Sequence, residues 1–213
     1  MYIAIEGVIG VGKTTLARML APSFEADLLL EVFEENPFLS DFYADRERYA
    51  FQTQIFFLLS RYHQQRRAVP EMLATGKPLL SDYTFAKDSL FALINLVGDE
   101  LVTYKRLHEA LAEKITLPDL LVYLRASTDT LMQRIAMRDR SYERNMELNY
   151  IEELNQAYEK FFSQPYNDTP ILTIDTNSLD FVRYNEHLKL IETRIRQTIG
   201  LPPFQTELPL EKR

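Results

Sequence analysis

The sequence predicts an α/β fold, a five-stranded parallel sheet with helices on both faces, and three observations carry that prediction. Short apolar runs at residues 2–6, 28–32, 78–82, 120–124 and 171–174, rich in Ile, Leu and Val, read as buried strands. Longer segments with helical spacing lie between them, and strands that alternate with helices form a parallel sheet covered on both sides. The first run also leads straight into a glycine-rich loop and then a helical pattern. At 213 residues and 25.0 kDa the chain is long enough to bury a sizeable core. We expect one domain over 1–213, with a lid at about 134–147 and an extended tail at about 202–213.

Taken in order, the run 2–6 is followed by Gly7, Val8, Ile9, Gly10, Val11, Gly12, Lys13 and Thr14. This is G-x-x-x-x-G-K-[ST], and Thr15-Leu16-Ala17-Arg18 opens the helical pattern behind it. Glycines let backbone N–H groups converge on phosphate oxygens, and a helix N-terminus adds partial positive charge. Lys13 is suited to the outer phosphates and the Thr14 hydroxyl to a Mg²⁺ shell. The fold is therefore of the P-loop NTPase type, and residues 7–15 are its expected nucleoside triphosphate site. Glu31 is read as the end of the second strand, and strand ends of an open parallel sheet point into the ligand crevice. Glu34, three residues on, is a rival carboxylate.

The segment 46–74 carries Tyr49, Phe51, Ile55, Phe56, Leu58, Leu59 and Tyr62 and has no proline before Pro70, so it reads as one long helix. Tyr43 and Gln54 are 11 residues apart, about three turns if the helix is continuous. Arg61 follows Gln54 by seven residues and shares its face. Asp82 ends the third strand. The segment 128–138 opens on a capping residue and aligns Leu131 with Ile135. It also places Arg134 and Arg138 four apart on one face, with Arg140 where the helix should break. Helices are expected at 149–162 and 184–199, and Pro202, Pro203 and Pro209 mark the extended end.

Composition excludes several functions. There is no cysteine, so disulfides, thiolate zinc sites and cysteine nucleophiles are ruled out. Three scattered histidines do not make a metal cage. A net charge of −7 disfavours a nucleic-acid polymer as partner but leaves room for small anions at a local cluster of arginines. No basic leader precedes residue 2 and no apolar stretch reaches about 18 residues, so the cytoplasm is the expected location, without a membrane partner. No N-K-x-D guanine motif is present, and no second acid stands beside Asp82 as in ATPase motors. A small-molecule kinase fits best, with Glu31 or Asp82 accepting the proton of the attacking alcohol.

The segments GVIGVGKTT, EVFEENPFLSDFY, FQTQIFFLLSRY, SDYTFAKDSLFA and RIAMRDRSYE, in that order, resemble the deoxynucleoside kinase family, and most of all its bacterial deoxyguanosine and deoxyadenosine kinases. The likeness runs from residue 2 to about 181. It implies phosphorylation of a deoxynucleoside 5′-hydroxyl by ATP with Mg²⁺, by a homodimer. It implies contacts from Tyr43 and Glu143 to the sugar 3′-hydroxyl and from Gln54 and Arg61 to the base. Arg134, Arg138 and Arg140 would form the lid that clamps the transferring phosphoryl. Asp180 and Phe181 would contact the donor adenine, and Thr14 and Asp82 the metal. The family's arginine after the acid is replaced by Tyr83, counted here with the acceptor site, and Lys87 can supply the missing charge. The pair Asp82-Tyr83 and the run Glu34-Glu35-Asn36-Pro37 look like the purine-type enzymes. A thymidylate-type nucleoside monophosphate kinase is the alternative, and a regulatory subunit without turnover a more distant one.

Overall fold

The computed structural model describes residues 1–32, 36–144 and 146–202. The sheet order among the described residues is β2-β3-β1-β4-β5, every pair parallel. The strands are β1 (Tyr2–Gly7), β2 (Asp27–Leu29), β3 (Leu79–Ser81), β4 (Leu120–Arg125) and β5 (Ile171–Asp175). β1 is central, and all six of its residues are buried. The chain leaves β1 toward β2 on one side and leaves β3 toward β4 on the other. The crevice at the carboxyl ends of these neighbours is the switch point where open α/β sheets bind ligands.

Helices cover both faces. α1 (Lys13–Phe24) and α8 (Asn185–Thr198) pack together on one side. On the other, α3 (Arg46–Leu73), α4 (Lys87–Asn95), α5 (Gly98–Ala112) and α7 (Leu148–Phe162) form a continuous layer. There the rings of Tyr123, Tyr158 and Phe162 stack, the closest pair 4.4 Å between centroids. α6 (Thr128–Arg138) packs on α7, begins at the side-chain cap of Ser127, and has the bounds the sequence predicts. α4 and α5 fill a stretch in which the sequence reading placed no element.

α3 has the bounds the sequence predicts to within one residue, whereas β2 ends early and Tyr43 lies on a separate helix, and both matter for the site. β2 stops at Leu29, so Glu31 lies two residues beyond the strand. β2 is an edge strand with only the three residues of β3 to pair with, and the following backbone pairs with side chains instead. Gln64 Nε2 donates to the Leu30 carbonyl (3.0 Å), and the Glu31 N–H donates to Asp82 Oδ1 (2.8 Å). The condition for Tyr43 and Gln54 to lie three turns apart on one helix is not met. α2 (Leu39–Ala44) ends at Asp45, which leaves helical geometry (φ −146°, ψ 80°) and accepts a hydrogen bond from the Arg48 N–H to start α3. Glu34 and the tail beyond Pro202 lie outside the described residues.

Candidate active site

The phosphate loop is built on backbone that only glycine tolerates at two close approaches. Gly7 has φ 149°, and a Cβ there would lie 2.4 Å from the Leu124 carbonyl oxygen of β4. Gly12 has φ 102° and lies against the buried Phe181 ring, 3.0 Å from where its Cβ would stand. Lys13 Nζ donates to the Gly7 (2.7 Å) and Val8 (3.2 Å) carbonyls, so its ammonium is held inside the curve of the loop. Burial, reinforced by the charge of Lys87, lowers its pKa to about 8. The side chains of Val8 and Val11 are buried, leaving backbone to face the crevice.

Beside the loop, the Thr14 hydroxyl donates to Asp82 Oδ2. With its other oxygen taken by the Glu31 N–H, Asp82 ties α1, the turn after β2 and the end of β3 together. The Glu31 carboxylate sits between two cations. Arg61 Nε donates to Oε1 at 2.8 Å and Lys87 Nζ to Oε2 at 2.6 Å. Burial alone would raise the pKa of Glu31, but Arg61 and Lys87 outweigh it and hold the carboxyl well below the usual carboxylate range. Arg61 also donates to the buried Asp88, and its guanidinium lies 4.5 Å over the Phe57 ring. Glu31, Arg61, Lys87 and Asp88 thus form one buried ionic cluster drawn from three parts of the chain.

These groups open onto a cavity of about 410 Å³. Glu31, Asp82 and Lys87 line it near the loop, Gln54 and Arg61 come from α3, and Tyr43 from α2. The break at Asp45 changes how Tyr43 arrives, since it reaches the same cavity as Gln54 from a separate helix. Gln54 Oε1 and Thr53 Oγ1 are buried without a hydrogen-bond partner. Arg138, Arg140 and Glu143 close the cavity from the lid, where a 3₁₀ turn at Ser141–Glu143 follows α6. The buried Glu143 carboxylate accepts from Arg138 Nη2 at 2.6 Å, and Arg140 Nη1 lies 3.7 Å away.

A second cavity, about 650 Å³, lies on the far side of the loop. Asp180 and Phe181 line it, together with Val11 and Arg134. Asp180 Oδ1 accepts from the Val182 and Arg183 N–H groups and so fixes this turn. Gly10, Gly12, Thr15 and Arg138 belong to the walls of both cavities. The glycine-rich loop and Arg138 therefore separate the two cavities.

Two expectations need correction. Tyr83 lines neither cavity. It is fully buried, and its hydroxyl donates to Gln64 Oε1 at 2.5 Å, because the residue after Asp82 turns inward under α3. Arg134 does not share the lid's reach, although it lies on the same helical face as Arg138. One turn closer to the sheet, it donates to Thr176 Oγ1 (3.0 Å) and the Thr176 carbonyl (2.7 Å) just past β5, and it borders the second cavity only.

The sequence reading missed Asp88, Tyr142 and Glu6, and it read Phe57 chiefly as core although the ring lines the first cavity. Only Glu6 left a signal, a charge inside an apolar strand. Its buried carboxylate accepts from the Thr84 N–H (2.6 Å), Thr84 Oγ1 (2.8 Å), the Gly7 N–H (3.2 Å) and the Tyr158 hydroxyl (3.4 Å).

A family model described as deoxynucleoside kinase matches residues 3–200. The chain belongs to the deoxynucleoside kinase family. This kinase is 36% identical over 201 residues to a deoxyguanosine kinase of Bacillus subtilis (strain 168), covering 93% of the chain and 97% of the relative. It is 35% identical to a deoxyadenosine kinase of Dictyostelium discoideum, covering 95% of the chain and 84% of the relative. Among solved structures, the deoxyadenosine kinase from M. mycoides with bound dATP superposes with a TM-score of 0.80 at 29% identity, covering 92% of this kinase and 99% of that chain. The enzyme is thus a phosphotransferase, and among the described residues no helix is long and apolar enough to cross a membrane.

Proposed function

We propose that this kinase transfers the γ-phosphoryl group of ATP, with Mg²⁺, to the 5′-hydroxyl of a purine deoxynucleoside. The observation that carries this is the shared wall. A phosphoryl group must pass between donor and acceptor without meeting bulk water, and the loop and Arg138 stand between the two cavities. The donor base fits the second cavity, against Phe181 and the turn fixed by Asp180. The donor phosphates fit the loop, with Lys13. The nucleoside fits the first cavity, its base toward Gln54 and Arg61 and its sugar toward Tyr43 and Glu143. Gln54 suits the base because its carboxamide is buried with an unused acceptor and offers donor and acceptor together.

Glu31 faces the attacking hydroxyl. Held ionised by Arg61 and Lys87, it is a weak base but a firm hydrogen-bond acceptor, so its work is to orient the oxygen. That suffices for a loose phosphoryl-transfer transition state, in which the nucleophile is bonded little. Arg138 and Arg140 place positive charge where the equatorial oxygens gather it. Arg134 acts from behind, bracing the loop against the segment after β5. Thr14 and Asp82 set a hydroxyl and a carboxylate side by side. This is the sparse oxygen set that Mg²⁺ accepts when phosphates and water complete its shell, and a bound ion there would neutralise phosphate charge. A thymidylate-type acceptor is less well served, because Tyr83 is buried and Lys87 is spent on Glu31.

The purine reading rests on the two relatives named for purine deoxynucleosides. We further infer one domain acting as a homodimer in the cytoplasm; Leu59 of α3 and Val102 of α5 offer exposed apolar side chains for such a contact. Steady-state kcat/KM for the four deoxynucleosides with ATP tests the base. Deoxyadenosine or deoxyguanosine should lead, and a higher value for thymidine or deoxycytidine than for both purines overturns the purine assignment.

A further inference from the structure

The lid and the acceptor side of the first cavity meet through two aromatic rings, one of which has no task in the reading above. Tyr142 lies in the 3₁₀ turn, between Arg140 and Glu143. Tyr43 lies on α2. Their ring centroids are 6.2 Å apart and their planes 14° from parallel, an offset stack. Both rings are part of the cavity wall. On the α2 side the stack has firm backing, with Phe42 edge-on to Tyr43 at 5.3 Å and to the buried Tyr150 of α7 at 6.3 Å.

Two backbone bonds and one ion pair close on the lid itself. The Glu143 N–H donates to the Arg140 carbonyl, the Met146 N–H to the Glu143 carbonyl, and Arg144 pairs with Asp139. They preserve its shape, and the Tyr142–Tyr43 stack joins that shape to another element. Glu143, the next residue, holds Arg138, so any displacement of Tyr142 moves both.

We propose that Tyr142 is a positioning residue that docks the lid on α2 by stacking on Tyr43, and so sets Glu143 and Arg138 over the nucleoside. This rests on the phosphoryl-transfer reading of the lid. Because the two rings also form the sugar-side wall, nucleoside binding and lid position are coupled through them.

The chain contains no tryptophan, so Tyr142→Trp places a single indole in the stack. Saturating deoxyadenosine or deoxyguanosine, without nucleotide, should shift its emission. In steady state, Tyr142→Ala should lower kcat/KM for the nucleoside roughly 3- to 10-fold, the range for losing one aromatic pair, with the donor KM changed less than about 2-fold. Tyr142→Phe should restore most of that loss, since the ring makes the stack, and adding Tyr43→Ala to Tyr142→Ala should cost less than the product of the two single losses. Should Tyr142→Ala not fold, Tyr142→Leu replaces it, being apolar but not aromatic. An unchanged kcat/KM, a Tyr142→Phe enzyme as impaired as Tyr142→Ala, fully multiplicative losses, or no emission shift at saturation overturns the proposal. The emission test needs binding alone, so it still decides the stack if the wild-type enzyme turns over no deoxynucleoside and the transfer reading itself fails.

Discussion

Arg138 lines both cavities and grips Glu143, so a single side chain there can be tested against both proposed sites. On the proposed lid assignment it acts on charge that develops in flight, so Arg138→Ala should lower kcat by about 10²-fold, with a smaller rise in the nucleoside KM from the freed Glu143. A change in KM alone would contradict the lid assignment. Glu31→Gln should keep nucleoside binding and lose most turnover, because the amide keeps the shape but not the full acceptor charge. If that variant stays active while Asp82→Asn is dead, the two acids are exchanged in role. Lys13 makes a pH-dependent case. Its folded-state pKa of about 8 lies below the ordinary lysine value of 10.5. The folded chain therefore binds fewer protons than the unfolded one between those values, and this group's contribution to stability rises with pH there and is flat below. Donor phosphates favour the charged form, so donor binding at about pH 8.5 should take up a fraction of a proton, measurable by calorimetry in two buffers of different ionisation enthalpy. Lys13→Arg should abolish the uptake, and its absence in the wild type would remove the assigned cause.

At the scale of the element, the break between α2 and α3 shapes the acceptor side. A continuous helix would carry Tyr43 along the α3 axis, whereas the turn at Asp45 lets α2 fold back so that Tyr43 meets the lid. The Asp45 carboxylate caps α3 and fixes that turn. Asp45→Ala should therefore cost about 1 kcal/mol in denaturant unfolding, typical of a lost N-cap. The nucleoside KM should rise while the donor KM does not, because only α2 is released. Equal effects on both substrates would show that the turn does not control Tyr43. α6 is the opposite case, since its cap, length and last-turn arginine are all local, and it forms as the spacing predicts.

Across the whole molecule, Glu6 joins parts that the chain keeps far apart. Its carboxylate collects donors from the start of the phosphate loop, from Thr84 beyond Asp82 and from Tyr158 on α7. Glu6→Gln replaces one acceptor with a donor in a site full of donors. The expected loss is about 2 kcal/mol, or roughly 4–8 °C in thermal midpoint for a chain this long. A thermal midpoint within 1 °C of wild type would show that the network is dispensable.

The glycine-rich loop, the parallel sheet and the helical face shared by Arg134 and Arg138 could be read in the sequence because each is set by neighbours in the chain. Glycine spacing dictates the loop, apolar runs dictate the strands, and a four-residue interval dictates a helical face. What such intervals could not show is how far a face reaches or who waits there. Arg134 and Arg138 share a face, yet one braces Thr176 and the other lines the first cavity, because a turn of helix separates them and different elements wait at each end. Tyr83 looked like a site residue by its place after Asp82 but turns into the core under α3. β2 stops short of Glu31 because an edge strand has only as many residues as its one neighbour can pair. The cluster of Glu31, Arg61, Lys87 and Asp88 assembles from the turn after β2, the middle of α3 and the start of α4, and only the packing of helices on the sheet decides that these charges meet. Local spacing thus determined which chemistry the chain carries, and tertiary packing decided which of those groups face the same cavity, since burial and ion pairing depend on distances between elements that the order of residues does not contain.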